Sequence, residues 1–452
     1  MTSYPNIVRL ILILLAAAIL PAQINEPRRA GHPTIFALTE LARSAPPEFA
    51  ARGLLQLLDA GAIPTQDWQF DIAQEALTLA ASARHPLKKR LAPGINAPDT
   101  RAMLWTVAYG QGLDGLSLSL RAIQHLPPET AKKAFSQLPR PAPKQAACKD
   151  PLLDDISQWF QTAAGLRIDP LPLIQSIQTH GEIAPAIDLI VSAGTTELHI
   201  GALAQKLREL PANDRPFNAA LFETPRKLHQ LRPTAALDDA WRAWMQSGLE
   251  APACQESRTA GPQQQARHDA FHLLNQTLSP DLLKPSGTSE PANLEPFADT
   301  EATRAQAKHF KQLLFGNQNR GLSENEKDTP EWREQMQKFI QSIESRTRSA
   351  EESDIEFFYR QSQLWAGVLM AAPAGSTRDR ARNQYIAFLL ANAPHIDPLI
   401  WFSQVQSIAE LARSLHGGDF ARTLNDLHQT AHPVLRLYAE LESAYPTRPK
   451  VN

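Results

Sequence analysis

The sequence predicts an all-α protein made of stacked antiparallel helical hairpins, an irregular α-solenoid-like array. Three observations point there: valine is scarce, apolar residues recur at helical spacing, and proline is abundant. Valine occurs only at Val8, Val107, Val191, Val368, Val405, Val434 and Val451. Ala and Leu, the strongest helix formers, fill the apolar stretches, whereas sheets favour β-branched and aromatic residues. Of 452 residues 36 are proline, roughly 8% against a usual figure of about 5%. Proline begins or ends helices rather than sitting inside them, so this density implies many short helices with punctuated turns.

The chain opens MTSYPNIVRLILILLAAAILPAQ, with one cation at Arg9, an uninterrupted apolar run from Leu10 to Leu20, and a small residue at Ala22. That run is short of the roughly 20 residues that span a bilayer. It reads as a secretory signal peptide over residues 1–23, cut after Ala22 or Gln23, leaving no membrane span in the mature chain; the alternative is an uncleaved amphipathic or membrane-anchoring helix. An N-terminal helical region follows over 24–280. Within it residues 113–126 (LDGLSLSLRAIQHL) and 129–138 (ETAKKAFSQL) read as a helical hairpin. Residues 281–299, rich in Pro, Ser and Gly, read as a linker or long loop.

A C-terminal helical region spans 300–446, before a short tail at 447–452. Its first clear helix has Thr329 as cap and Pro330 in the first turn, with Trp332, Met336, Phe339, Ile340 and Ile343 on one face. The next is expected to open on Ser349 and Glu352 at capping-box spacing and to carry Ile355, Phe358, Tyr359, Trp365 and Leu369. Its segment 354–371 pairs with 378–391 as a second hairpin. Asp397-Pro398 starts another helix, with Trp401, Val405, Ile408, Leu411 and Leu415 at three- and four-residue steps, ending at Gly417-Gly418. No fixed repeat period holds. Asp-Pro-Leu recurs at 150–152, 169–171 and 397–399, at irregular spacing, which marks a device for starting helices.

Lys and Arg total 45 against 47 Asp and Glu, a net charge of -2. That balance disfavours a nucleic-acid partner, which calls for clustered basic excess. The cysteines are Cys148 and Cys254, each in a polar, proline-flanked stretch. In an oxidising compartment an even count favours pairing, so a Cys148–Cys254 disulfide is expected. Closing so long a loop is worth about 4–5 kcal/mol in the entropic model, before strain is deducted.

Motifs that could carry chemistry each meet a plainer explanation. Gly110, Gly112 and Gly115 match G-x-G-x-x-G, but the preceding residues 99–109 read as helix and 131–143 contain no Asp or Glu. A dinucleotide site needs a strand before the loop and an acidic residue about 20 positions on. A glycine-rich turn between helices fits better, and no cofactor is expected. His268 with His272 and His428 with His432 have the four-residue spacing that could place two imidazoles on one zinc ion. Neither has the Glu of H-E-x-x-H, since Asp269 and Gln429 stand there. Carboxylates cluster at Asp154-Asp155, at Asp238-Asp239, and at Glu351-Glu352 with Asp354 and Glu356. Paired carboxylates can hydrolyse glycosides, yet all three clusters fit helix N-terminal turns. The adjacent aromatics Trp159-Phe160, Phe357-Phe358 and Trp401-Phe402 cannot both face one side of a helix, so one ring of each pair is available to a second layer or a partner.

The blocks GLSLSLRAIQ, AKKAF, PRPAP and CKDPLLDDISQWF, ending at Phe160, resemble a segment found in a group of exported helical bacterial proteins. EFFYRQSQLWAGVLMAAP followed by RDRARNQYIAFLLAN is similar to another segment of that group. The resemblance covers about a quarter of the chain and implies export and helicity, with Cys148 as a recurrent feature; the group has no assigned activity and transfers no site. The functional expectation is a non-catalytic exported binding or scaffold protein with a protein partner. The alternative is a hydrolase, zinc-dependent through a histidine pair or carboxylate-driven in a helical toroid. Thiol counting on denatured, unreduced mature protein should find no reactive group, whereas two free thiols would remove the disulfide.

Overall fold

The structure, a computed structural model, describes residues 33–91, 108–143, 152–210, 327–348, 350, 353–415 and 418–446, with single positions 224, 227, 230, 231, 239 and 243. The signal-peptide segment, the 281–299 stretch, Cys148, Cys254, His268, His272, Asp238, Glu351 and Glu352 lie outside the described residues. Two compact units divide the chain: residues 1–84 with 291–452, and residues 85–290. The sequence reading keeps 24–280 as one region. The structure adds a second crossing, at residues 84 and 85, which no shift of composition marks.

The described helices of the first unit are α1 (Pro33–Arg43), α2 (Pro47–Asp59) and α3 (Gln66–Ala80), then α10 (Pro330–Glu344), α11 (Asp354–Ala371), α12 (Ser376–Asn392), α13 (Pro398–Ser414), α14 (Asp419–His428) and α15 (Pro433–Ala444). Helices α1, α2, α10, α13 and α15 all begin on proline, whose fixed φ and missing N–H suit the first turn. Thr329 and Asp397 cap α10 and α13 as the sequence predicts, accepting from the backbone N–H groups of Trp332 and Leu399 at 3.3 and 2.9 Å. The cap of α11 is corrected by one turn. Ser353 and Glu356 form its capping box, the Ser353 N–H donating to Glu356 Oε2 at 3.0 Å and the Glu356 N–H to Ser353 Oγ at 3.3 Å.

Successive helices pack on each other from α10 to α15, and α1 on α2 and α2 on α3. Helix α15 also packs on α1 and α2, so the last described helix of the chain meets the first two. The all-α class holds. Helix α2 is the central element. Phe49, Leu54, Leu55, Leu57 and Leu58 are buried around most of its circumference, as a helix enclosed by neighbours requires. Each fully buried Leu contributes about 1.5–3 kcal/mol.

The adjacent aromatics divide between layers. Trp401 donates its indole N–H to the Leu389 carbonyl of α12 at 2.8 Å. Its neighbour Phe402 meets Phe49 of α2 edge-on at 5.1 Å and Tyr438 of α15 at 5.7 Å. Phe358 is buried and stacks on Phe388 at 5.5 Å.

The second unit contains α4 (Gly115–Gln124), α5 (Pro128–Gln137), α6 (Ser157–Gly165), α7 (Pro170–Gln175), a 3₁₀ turn (His180–Glu182), α8 (Ile183–Ala193) and α9 (Glu197–Glu209). The α4–α5 hairpin forms as expected, α4 and α8 pack on α6, and α7 packs on α8 and α9. Trp159 and Phe160 are both buried, and Trp159 lies 4.4 Å from the ring of Phe135 on α5. One departure from pure helix is a two-stranded antiparallel ribbon, β1 (Lys89–Leu91) with β2 (Leu152–Asp154), in which Lys89 opposes Asp154. Its strands hold no β-branched residue. Cross-strand charge and tertiary placement therefore override the propensity that the sequence reading relied on.

Gly53 lies where α2 approaches α15 and α1. A Cβ there would stand 3.2 Å from Leu437, 3.3 Å from Leu441 and 3.4 Å from Ala42. Gly53→Leu is expected to lower stability by about 1–3 kcal/mol through overpacking, read as a lower urea midpoint with unchanged slope.

Candidate functional site: the buried charge clusters

Among the described residues, those singled out in the sequence serve separate local roles. Asp154 sits in β2, not in a helical turn, with its carboxylate 3.2 Å from Lys89 Nζ. Asp155 accepts from the Ser157 N–H at 3.0 Å and so does mark a helix start. Asp354 and Glu356 serve the first turn of α11, in the other unit. Asp239 is exposed. The glycine-rich segment is a turn before α4: Gly112 has φ +64 and Asp114 caps the helix through the Ser117 N–H at 2.9 Å. That carboxylate occupies the helix N-terminus where a pyrophosphate would have to bind.

The histidines 428 and 432 are not paired on one helix. His428 ends α14, while His432 is the N-cap of α15. His428 Nδ1 lies 2.9 Å from Glu440 Oε1, and the His432 ring lies over Trp401 at 4.8 Å. Half-burial of His432 lowers its pKa, because a cation is poorly solvated there. Among the described residues no group of three or more His, Cys, Asp or Glu side chains is placed to hold a metal ion.

What the structure does gather is charge that pattern reading missed. Arg378 in the first turn of α12 is 1% exposed, and Asp419, the first residue of α14, is 3% exposed. They pair at 3.0 Å. Arg378 also donates from Nε and Nη2 to the Ala372 carbonyl at 3.1 and 2.8 Å, satisfying a carbonyl at the C-terminus of α11 that the helix leaves open. One turn on, Arg382 pairs with Asp379 at 2.9 Å and with Asp426 at 2.6 Å, and its Nη1 stands 3.7 Å from Asp419. Arg422 reaches Asp419 at 3.0 Å. Three guanidinium groups thus face three carboxylates between α12 and α14, with Asp419 at the positive end of its helix dipole.

A second cluster joins α2, α13 and α15. Glu442 is 1% exposed; it accepts from Gln56 at 3.3 Å and from Arg413 at 3.0 Å. Gln56 donates further to the Tyr445 carbonyl at 3.0 Å. The phenol of nearby Tyr438 is pushed well above its ordinary pKa, first by burial and then by the Glu442 charge, so it stays protonated at physiological pH.

The third cluster lies in the second unit. Glu182, fully buried, accepts from the N–H groups of Gln178 and Thr179 at 2.8 and 2.9 Å and pairs with Arg140. Arg140 follows α5 and also donates to Ser176 Oγ at 2.9 Å. Burial raises the Glu182 pKa, with the Arg140 charge opposing it.

In all three clusters opposite buried charges are paired between segments, which is how buried ions are tolerated; Arg382 Nη1, 3.7 Å from Asp419, is matched by charge alone. Such clusters can join helices; they do not leave a carboxylate and an acid poised on opposite sides of an open cleft. No protein-family model, curated protein or solved structure matches this chain.

Asp419→Ala removes the buried carboxylate that Arg378 and Arg422 share, and a loss of about 3–5 kcal/mol is expected in urea denaturation. For His432 the sign is set by the lowered pKa of the folded state. As pH falls below the unfolded value of about 6.5 the unfolded chain takes up this proton first, so stability is lost until the folded His432 also titrates. His432→Phe keeps a ring on Trp401 and should remove that component from a plot of stability against pH.

Proposed function

We propose that this chain is an exported, non-catalytic helical protein that binds or scaffolds another protein in the cell envelope or outside it. The observation that carries the reading is the use made of buried charge. Arg378, Arg382, Asp419, Glu442 and Glu182 each join separate segments of the fold. Asp155 and Glu356, which the carboxylate clusters offered for chemistry, accept from backbone N–H groups at helix starts instead. A protein that directs its polar side chains to holding helices in fixed relation presents a rigid surface, the property a binding module needs.

Export rests on the apolar run Leu10–Leu20 ahead of Ala22. A Cys148–Cys254 bridge would belong to the same oxidising compartment. No helix among the described residues is long and apolar enough to cross a membrane. A protein partner suits the near-neutral charge of -2 better than a nucleic acid does.

The test is recovery of the tagged full-length chain from its native cell after fractionation and mild cross-linking. The reading predicts a processed N-terminus near Ile24 in the periplasm or medium, and a discrete complex of reproducible stoichiometry with one protein species. A chain kept in the cytoplasm with Met1 intact would contradict export, and an exported monomer with hydrolytic turnover would contradict the binding role.

A further inference from the structure

The third charge cluster has an asymmetry that the other two lack. Arg378 and Asp419 both lie on helices, as do Arg413 and Glu442. Arg140 instead stands in a proline-rich segment, Leu138–Pro143 (LPRPAP), that runs on from the end of α5 and belongs to no helix or strand. Prolines 139, 141 and 143 cannot donate backbone hydrogen bonds. The side chain of Arg140 holds the segment down, bonding to Ser176 at the end of α7 and to Glu182 in the 3₁₀ turn, while Pro141 beside it is buried.

We propose that Leu138–Pro143 is an acid-released strap: protonation of Glu182 removes the counter-ion of Arg140 and lets the segment lift from α7 and the 3₁₀ turn. The direction follows from linkage. Arg140 stabilises the ionised form of Glu182, so the carboxyl binds its proton more tightly when the strap is off than when it is on. Lowering the pH therefore shifts the equilibrium toward release.

Among the described residues Glu182 is bonded to Arg140, Gln178 and Thr179, so its carboxyl shares its proton with no second carboxyl or imidazole. Arg140 is the charged group bonded to Glu182 from the strap. Helices α6 (SQWFQTAAG) and α7 (PLPLIQ) carry no charged residue. On α8 Asp188 pairs with Lys227. On α9 Lys206 pairs with Glu209, and His199 stands 3.9 Å from Asp169. His180, fully buried, belongs to the same 3₁₀ turn as Glu182. Burial raises the carboxyl above its ordinary value, and neutral Glu182 can still accept from Gln178 and Thr179, so the turn survives when the strap leaves.

A nitroxide at the exposed strap position 142, introduced as Ala142→Cys in the full chain with Cys148→Ser and Cys254→Ser, reads strap mobility by electron paramagnetic resonance. A second label at the exposed Ser136 on α5, as Ser136→Cys, reports whether the unit as a whole has loosened. The proposal predicts a severalfold rise in the mobile component at position 142 between about pH 7 and about pH 4, a range that brackets an upward-shifted Glu, with position 136 unchanged. Glu182→Gln, which cannot ionise, is expected to give the mobile spectrum at both pH values. An unchanged position 142 across that range overturns the proposal, as does loosening of both positions together. If Glu182→Gln fails to fold, the wild-type comparison of positions 142 and 136 decides alone.

Discussion

Buried charge must be matched, and in this protein that requirement sets which helices lie side by side. Apolar stripes on α12 and α14 would accept many partners, since burial of Leu and Ile is not directional. The Arg378–Asp419 pair is directional. The guanidinium, 1% exposed, bonds both to Asp419 at the start of α14 and to the Ala372 carbonyl at the end of α11. The contact therefore fixes register among three helices at once. Glu442 does the same for α2, α13 and α15, and through Gln56 it ties the first helices of the chain to the last. What these clusters add beyond packing is specificity, because an alternative stacking would leave an ion buried alone.

Proline at the first turn of α1, α2, α5, α7, α10, α13 and α15 sets where those helices begin, but an apolar stripe does not by itself choose its partner. Aromatic neighbours supply part of the answer, with Trp401 facing α12 and Phe402 facing α2 and α15. Close approach supplies another part, at Gly53. The polar clusters complete it by pairing charges between segments.

The local signals were legible in the sequence because they act over three or four residues. Thr329 and Asp397 cap where their spacing to Pro330 and Pro398 says they should. The box at Ser353 and Glu356 lies one turn from the expected Ser349 and Glu352, since Ser-x-x-Glu occurs twice in succession there and only tertiary packing chooses between them. The ribbon of Lys89 with Asp154 was not legible: its strands are three residues long and their pairing spans more than sixty positions. The clusters were hidden for the same reason. Arg378 and Asp419 are 41 residues apart, Gln56 and Glu442 386, and no periodicity connects them. The histidines 428 and 432 show the opposite error, a spacing that suggests a shared face where a helix in fact ends between them.

The central claim, that buried ion pairs serve architecture here, is tested most directly by a double-mutant cycle on Arg378 and Asp419. If the pair serves architecture, Arg378→Met with Asp419→Leu should cost clearly less than the sum of the two single losses, because the double variant leaves neither member of the pair as a lone buried ion. Equilibrium urea unfolding of the four proteins gives the coupling. A double variant whose loss equals the sum of the single losses would contradict the account.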